Sequence, residues 1–423
     1  MADDFSREQA RPSGAPSTPQ ARPGSSEQGA DGPLTGIRVL DLTSVVLGPL
    51  ATQILGDFGA DVIKLEGPGG DLMRRNGVTL EPGMSSVFVT INRNKRSLCV
   101  DLKTAAGREA VKRLLPGVDV LVHNMRTQAI DRLGFGYDAV AAINPRLVYC
   151  AATGFGQDGP DRDRPAFDDI IQSACGLVDI CSRGRESPDY VPSLVADKTT
   201  GMALANAVLA ALVHRERSGR GQYVEVPMLE TMTAFVLAEH MGGLTYRPAA
   251  GPAGYARLLE GGRRPYRTAD GWISMLPYTD RHWRAFFEGA DRPDLVAWFD
   301  AADQSDRNVF VRTLYAHLRE IMPQRTSGEW LAACAALDIP ATPIYSIDAL
   351  PDHPQLAAVG FFEDAVHPEV GPIRQMRPPT RFSATPAGIR RQAPTLGQHT
   401  AEILREAGLS DAEIRALSVT TGD

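Results

Sequence analysis

From residue 34 onward, short apolar runs alternate with runs whose apolar residues recur at helical spacing, and no other feature restricts the fold of this chain as strongly. Residues 34–43 read as a buried strand. A turn carrying Gly48 and Pro49 follows, then a helix through Ala51, Ile54 and Leu55, then a second strand over 60–66. A strand–helix–strand unit with proline near the helix start implies parallel strands joined by right-handed crossovers. Residues 97–102, 118–122 and 146–151 read as further strands, with helical patterns at 105–115 and 137–143 between them. The expected fold class is α/β, with a doubly wound, Rossmann-like large domain.

The rest of the chain divides around that core. Residues 1–33 are Ser, Pro, Gly, Ala, Gln and charge, and are expected to form a disordered tail. Residues 34–228 together with 344–423 make the expected large domain. Residues 229–343 are expected to form a linker and a smaller α+β domain, rich in aromatics and arginines around 264–273, with amphipathic helices over 278–287 and 309–321. A last amphipathic helix is expected over 398–417. A formal charge of −7 argues against a nucleic-acid or membrane-surface protein, since both need a net basic face. Cys99, Cys150, Cys175, Cys181 and Cys334 lack CxxC or metal-ligand spacing and read as reduced thiols. With no signal peptide or membrane span legible, a cytoplasmic location is expected.

Chemistry enters at residues 191–214. Leu204, Val208, Ala211 and Leu212 recur at helical spacing, so a helix is expected to begin just after Asp197. Small residues at 201, 203, 205 and 207 suit close approach to a neighbouring helix. A carboxylate there meets unpaired backbone N–H groups and the positive end of the macrodipole, which keep it ionised. An N-cap role, worth about 1 kcal/mol, would account for Asp197 taken alone. Residues 154–159 fit GxGxxG after a strand, but Pro160 and Pro165 follow where a nucleotide-binding helix would have to start, so no dinucleotide site is assigned. No GxSxG elbow, P-loop or metal-ligand spacing is legible. Basic residues cluster at Arg74, Arg75, Arg93, Lys95, Arg96, Arg126 and Arg132. Residues 92–96 and 123–126 read as lying near strand ends, where α/β sheets bind ligands, so a polyphosphate partner fits.

Taken together these stretches resemble the class III coenzyme A transferases, the family of formyl-CoA, carnitine-CoA and succinyl-CoA transferases and of α-methylacyl-CoA racemase. The resemblance runs in order through residues 48–66, 92–103, 131–134, 144–149, 154–160, 167–176, 197–201, 219–222, 269–271 and 396–400. It implies an enzyme that moves CoA between an acyl-CoA and a free carboxylic acid, with CoA as substrate and no permanently bound cofactor. It also implies an open-ring chain that interlocks with a second copy as a homodimer.

Residue by residue, the resemblance places the catalytic aspartate at Asp197. A carboxylate of ordinary pKa, about 4, attacks a thioester without a general base. Desolvation is expected to raise that pKa and the helix dipole to oppose the rise. CoA contacts fall on Asn124, Met125, Arg126 and Arg132, with Lys95 and Arg96 as further phosphate partners. Val45 and Val46 fall where relatives line the pantetheine and thioester, and Asp168 matches an acidic residue near the reacting centre. Phe167 stands where racemases of the family carry a histidine base, which favours transfer over racemisation. A racemase or a catalytically silent CoA-binding protein are the alternatives. Gly67 stands where many members have a CoA-binding arginine, with Arg74 or Arg75 as substitutes. Arg263, Arg264 and Arg267, beside the short Gly261-Gly262 flap, suit an acceptor with extra negative charge.

Overall fold

The computed structural model describes residues 32–419 apart from 184 and 260–262. The expected tail therefore lies almost wholly outside the described residues, as do Gly261 and Gly262. Six parallel strands form the central sheet: β1 (Arg38–Leu42), β2 (Asp61–Glu66), β3 (Lys95–Cys99), β4 (Val120–His123), β5 (Val148–Thr153) and β6 (Tyr223–Pro227). Their order is β3-β2-β1-β4-β5-β6, that of a doubly wound sheet. The helices connecting or following them are α1 (Leu47–Asp57), α2 (Ser86–Ile91), α3 (Ala105–Lys112), α4 (Thr127–Arg132), α5 (Tyr137–Ile143), α6 (Asp168–Ala174), α7 (Leu177–Ser182), α8 (Val195–Ser218) and α9 (Met228–His240).

Successive strand residues point to opposite faces, and both faces are apolar because both are covered. Val39, Val62, Val120 and Val148 pack with Leu55, Leu204, Val208 and Met232 from α1, α8 and α9. Leu40, Ile63, Leu121 and Tyr149 pack instead with Val111, Ile130 and Val140 of α3 to α5, and with Ile403 and Leu404 near the C-terminus. A third apolar cluster, built on Trp283, Phe286, Phe287, Leu314 and Trp330, covers a small antiparallel sheet of β7 (Tyr266–Arg267), β8 (Trp272–Met275) and β9 (Ala341–Pro343). Among the described residues no helix is long and apolar enough to cross a membrane.

Three local expectations are corrected. β3 starts at Lys95, two residues before the apolar run, because both charged residues find ionic partners on neighbouring strands, Lys95 with buried Asp41 and Arg96 with half-buried Asp61. α8 begins at Val195, so Asp197 is its third residue and not its cap. The expected 398–417 helix is two, Thr400–Glu406 and Asp411–Val419, broken where Gly408 takes φ +81°. Before these helices β10 (Phe362–His367) and β11 (Gly371–Met376) form a hairpin; buried His367 ties its turn by accepting the N–H groups of Glu369 and Val370 at Nδ1.

Candidate active site

The order of the sheet reverses between β1 and β4, and a cavity of about 300 Å³ opens beyond the carboxyl ends of those strands and of β5. The two loops at the reversal are tied by one side chain. Asn124 accepts the backbone N–H of Ser44 at 3.0 Å and donates to the Ser44 carbonyl at 2.9 Å. The next residue, Val45, is held at φ +71°, a left-handed conformation that costs a β-branched residue energy, and its N–H is fixed by Asp71 at 3.1 Å. Val45 and Leu47 line the cavity, whereas Val46 is buried and does not.

α8 brings Asp197 to the opposite wall. It can do so because Gly201 packs on the start of α1 with no room for a side chain: a Cβ there would stand 2.6 Å from the Leu47 carbonyl oxygen. Asp197 is 8 % exposed and carries the only carboxylate among the cavity-lining residues. The start of its helix has no local cap, since Leu194 at the N-cap offers no side-chain acceptor. The cap comes from α6. Asp168 Oδ1 accepts the backbone N–H of Asp197 at 3.0 Å, and its Oδ2 accepts from Gln172 Nε2 at 2.6 Å.

The rise expected from desolvation is present at Asp197. Burial, together with the charges of Asp168 and Asp169, pushes the Asp197 carboxyl up to about 7. The favourable first-turn N–H of α8 is spent on Asp168, so the macrodipole alone does not hold Asp197 in the ordinary carboxylate range.

Of the remaining cation candidates, Arg126 lines the cavity beside Met125 and Asn124, and Phe167 lines it from the N-terminus of α6. Arg132 is exposed on the last turn of α4 and is not part of the lining. Lys95 and Arg96 are not brought to the cavity. They stand at the amino end of β3, away from the ligand-binding edge. Lys95 is fully buried, with Nζ 3.1 Å from Asp41 Oδ2 and donating to Pro49 O and Asn92 Oδ1 at 2.9 Å. Arg96 grips Asp61 at 2.6 Å and Glu406 at 2.7 Å, pinning the helix Thr400–Glu406 to the sheet. Arg74 cannot replace the arginine missing at Gly67, because it is buried in a two-point pair with Glu66, 2.7 Å at each contact, against the Phe88 ring. Arg263 and Arg264 line a different cavity beside Tyr266 and Ser274.

Two cations escaped sequence reasoning. Arg162 and Arg164, from the loop that mimics GxGxxG, line the cavity with Asp197. Both lie between Pro160 and Pro165, in a stretch whose charges alternate and so carry no periodicity to mark them. Burial pushes His123, at the end of β4, down to about 4, so it is neutral; it faces a neighbouring cavity of Tyr137, Tyr149 and Tyr223.

A reversing parallel sheet with a buried carboxylate and a cationic loop at its carboxyl edge is an arrangement that can receive an anionic ligand. Residues 34–400 match CoA-transferase family III, and the chain belongs to that family. It is 34 % identical over 388 residues to a probable fatty acyl-CoA transferase, Rv3272, of Mycobacterium tuberculosis, covering 88 % of this chain and 97 % of the relative. It is 33 % identical to a succinate–glutarate CoA-transferase of Agrobacterium fabrum, covering 88 % and 95 %. The crystal structure of Rv3272 superposes with a TM-score of 0.77 at 32 % identity, over 88 % of this chain and 99 % of that one. A CAIB/BAIF family protein from Brucella suis gives 0.75 at 30 % identity, over 89 % and 100 %. The chain is thus a CoA-transferase acting on CoA thioesters.

Proposed function

We propose that this enzyme transfers CoA from an acyl-CoA to a free carboxylic acid by covalent catalysis through Asp197. The observation that carries the reading is that Asp197 is the single carboxylate lining the cavity at the sheet reversal. Its ionised oxygen attacks the thioester carbonyl, the C–S bond breaks, and CoA leaves as thiolate with an aspartyl anhydride behind. The thiolate attacks the aspartyl carbonyl, releasing the donor acid and forming an aspartyl-CoA thioester. The acceptor carboxylate attacks that thioester, giving a second anhydride and thiolate. Attack of the thiolate on the acceptor's acyl carbon then releases the new acyl-CoA and frees Asp197.

Arg126, Arg162 and Arg164 hold the CoA phosphates through charge-assisted hydrogen bonds, with Arg132 as an outer contact from α4. Asn124, Met125 and Val45 border the pantetheine path. CoA enters as substrate, with no resident cofactor, and the enzyme works in the cytoplasm. Residues 229–343 serve as linker and small domain of an open ring that interlocks with a second copy, a reading supported by exposed Leu244, Tyr246, Ile347 and Val366. Light scattering tests the dimer.

Racemisation needs a base at the substrate α-carbon, and exposed Phe167 supplies none. Incubation with acyl-CoA followed by hydroxylamine or borohydride tests the proposal: mass spectrometry should find the modification on Asp197. An unmodified Asp197 with solvent deuterium entering the α-carbon would replace transfer by racemisation.

A further inference from the structure

Gln172 lies one turn beyond Asp168 on α6 and is fully buried. A buried primary amide is costly unless both of its ends are used, and here they are. Its Oε1 accepts the backbone N–H of Val191 at 3.0 Å. Its Nε2 donates to Asp168 Oδ2 at 2.6 Å and lies 3.3 Å from the carbonyls of Val191 and Ser193. The same side chain therefore holds the strand of chain that leads into α8 and the carboxylate that caps α8.

We infer that Gln172 is a positioning residue for the transfer reaction, locking Asp168 and residues 191–193 so that the first turn of α8 presents Asp197 in one geometry. This rests on Asp197 being the nucleophile. Leucine could fill the space but not donate, and glutamate could accept from Val191 but would oppose Asp168. Only an amide satisfies the carboxylate on one side and the peptide N–H on the other. Without the tether, Asp168 can leave the Asp197 N–H, and that helix start has no other side-chain cap.

The carboxylate that Gln172 tethers is also one whose charge acts on Asp197. The other charged groups near Asp197 are Asp169 on α6, Arg126, Arg162 and Arg164 across the cavity, and Lys198 on its own helix, whose Nζ donates to Ser193 Oγ at 2.6 Å. On α9, Glu230 is engaged with the Gly156 N–H at 2.9 Å. Of these side chains, that of Gln172 donates to Asp168 directly.

The test compares Gln172→Leu, Gln172→Glu and Asp168→Asn/Gln172→Glu in the full chain, measuring kcat, the KM for acyl-CoA, and the acidic limb of kcat/KM between pH 5.5 and 9. Each single substitution should lower kcat by about tenfold or more, as expected for a displaced reacting group, with acyl-CoA KM within about threefold. The limb should move to higher pH in Gln172→Glu, where negative charge is added beside Asp168 and Asp197. The double variant reverses donor and acceptor along one bond, keeps an oxygen for the α8 cap, and should recover much of the kcat lost in Gln172→Glu. An unmoved limb in Gln172→Glu with a lower rate, or kcat within twofold of the parent, overturns the inference. If Gln172→Leu does not fold, the two glutamate variants decide. Hydroxylamine trapping on the parent separates the two readings: no label on Asp197 sinks the nucleophile, whereas a label that forms at parental rate in both glutamate variants sinks only the role of Gln172.

Discussion

Asp168 Oδ1 stands 3.0 Å from the backbone nitrogen of Asp197, so one carboxylate caps the helix whose first turn carries another. The cap fixes where the second carboxylate sits and, by its charge, how easily that carboxylate loses its proton.

Catalysis should therefore depend on pH near neutrality. In the proposed mechanism the Asp197 carboxyl, raised to about 7 by burial, Asp168 and Asp169, has to ionise before it attacks, so kcat/KM should rise through pH 7 and level off above it. In Asp168→Asn the limb should move to lower pH, because one of the repelling charges is gone. A profile flat from pH 5.5 to 9 in the parent would contradict this electrostatic account.

The same shift predicts a stability gain. A carboxyl whose folded pKa exceeds its unfolded value stabilises the fold fully below about pH 4 and loses that contribution as pH rises through about 7. Asp197→Asn removes the charge, so its stability advantage over the parent should grow from pH 4 to 7 and then hold, at up to about 4 kcal/mol, with Tm rising in step. Thermal melts of both proteins across that range check it, and an advantage that shrinks with rising pH would refute it.

Lys95 should matter for folding and not for CoA. Burial pushes the Asp41 carboxyl up, but Lys95, Lys64 and the hydroxyls of Thr43 and Thr52 outweigh it and bring it to about 2. Lys95→Met leaves that buried charge short of a partner and should cost about 3–5 kcal/mol in denaturant unfolding. Among molecules that still fold, the acyl-CoA KM should stay within twofold. A large rise in KM at unchanged stability would return Lys95 to the phosphate site.

Arg162 and Arg164 should behave in the opposite way. Removing both should raise the acyl-CoA KM about tenfold or more, by the loss of charge-assisted phosphate contacts, with little change in Tm. The defect should be larger at low salt, where the parent gains most from the same charges. Arg263→Ala/Arg264→Ala, in the other cavity, is the control and should leave that KM unchanged.

What could be read from residues alone was the part of the problem that is local. Val39 and Leu40, Val62 and Ile63, Val120 and Leu121 declare a sheet covered on both faces, and α5 falls where its spacing places it, because apolar periodicity is written within a dozen residues. The resemblance pointed to Asp197 for the same reason: its neighbours travel with it along the chain. The tertiary structure decided which charges are free to act. Arg96 meets Glu406 from 310 positions away, Lys95 meets Asp41 from 54, and Asp197 receives its cap from 29, while Arg162 and Arg164 reach the cavity on a loop with no pattern. A charged side chain looks the same in sequence whether it binds a ligand or an internal partner, because the Coulomb energy that separates the two depends on distances through space that only the folded chain sets.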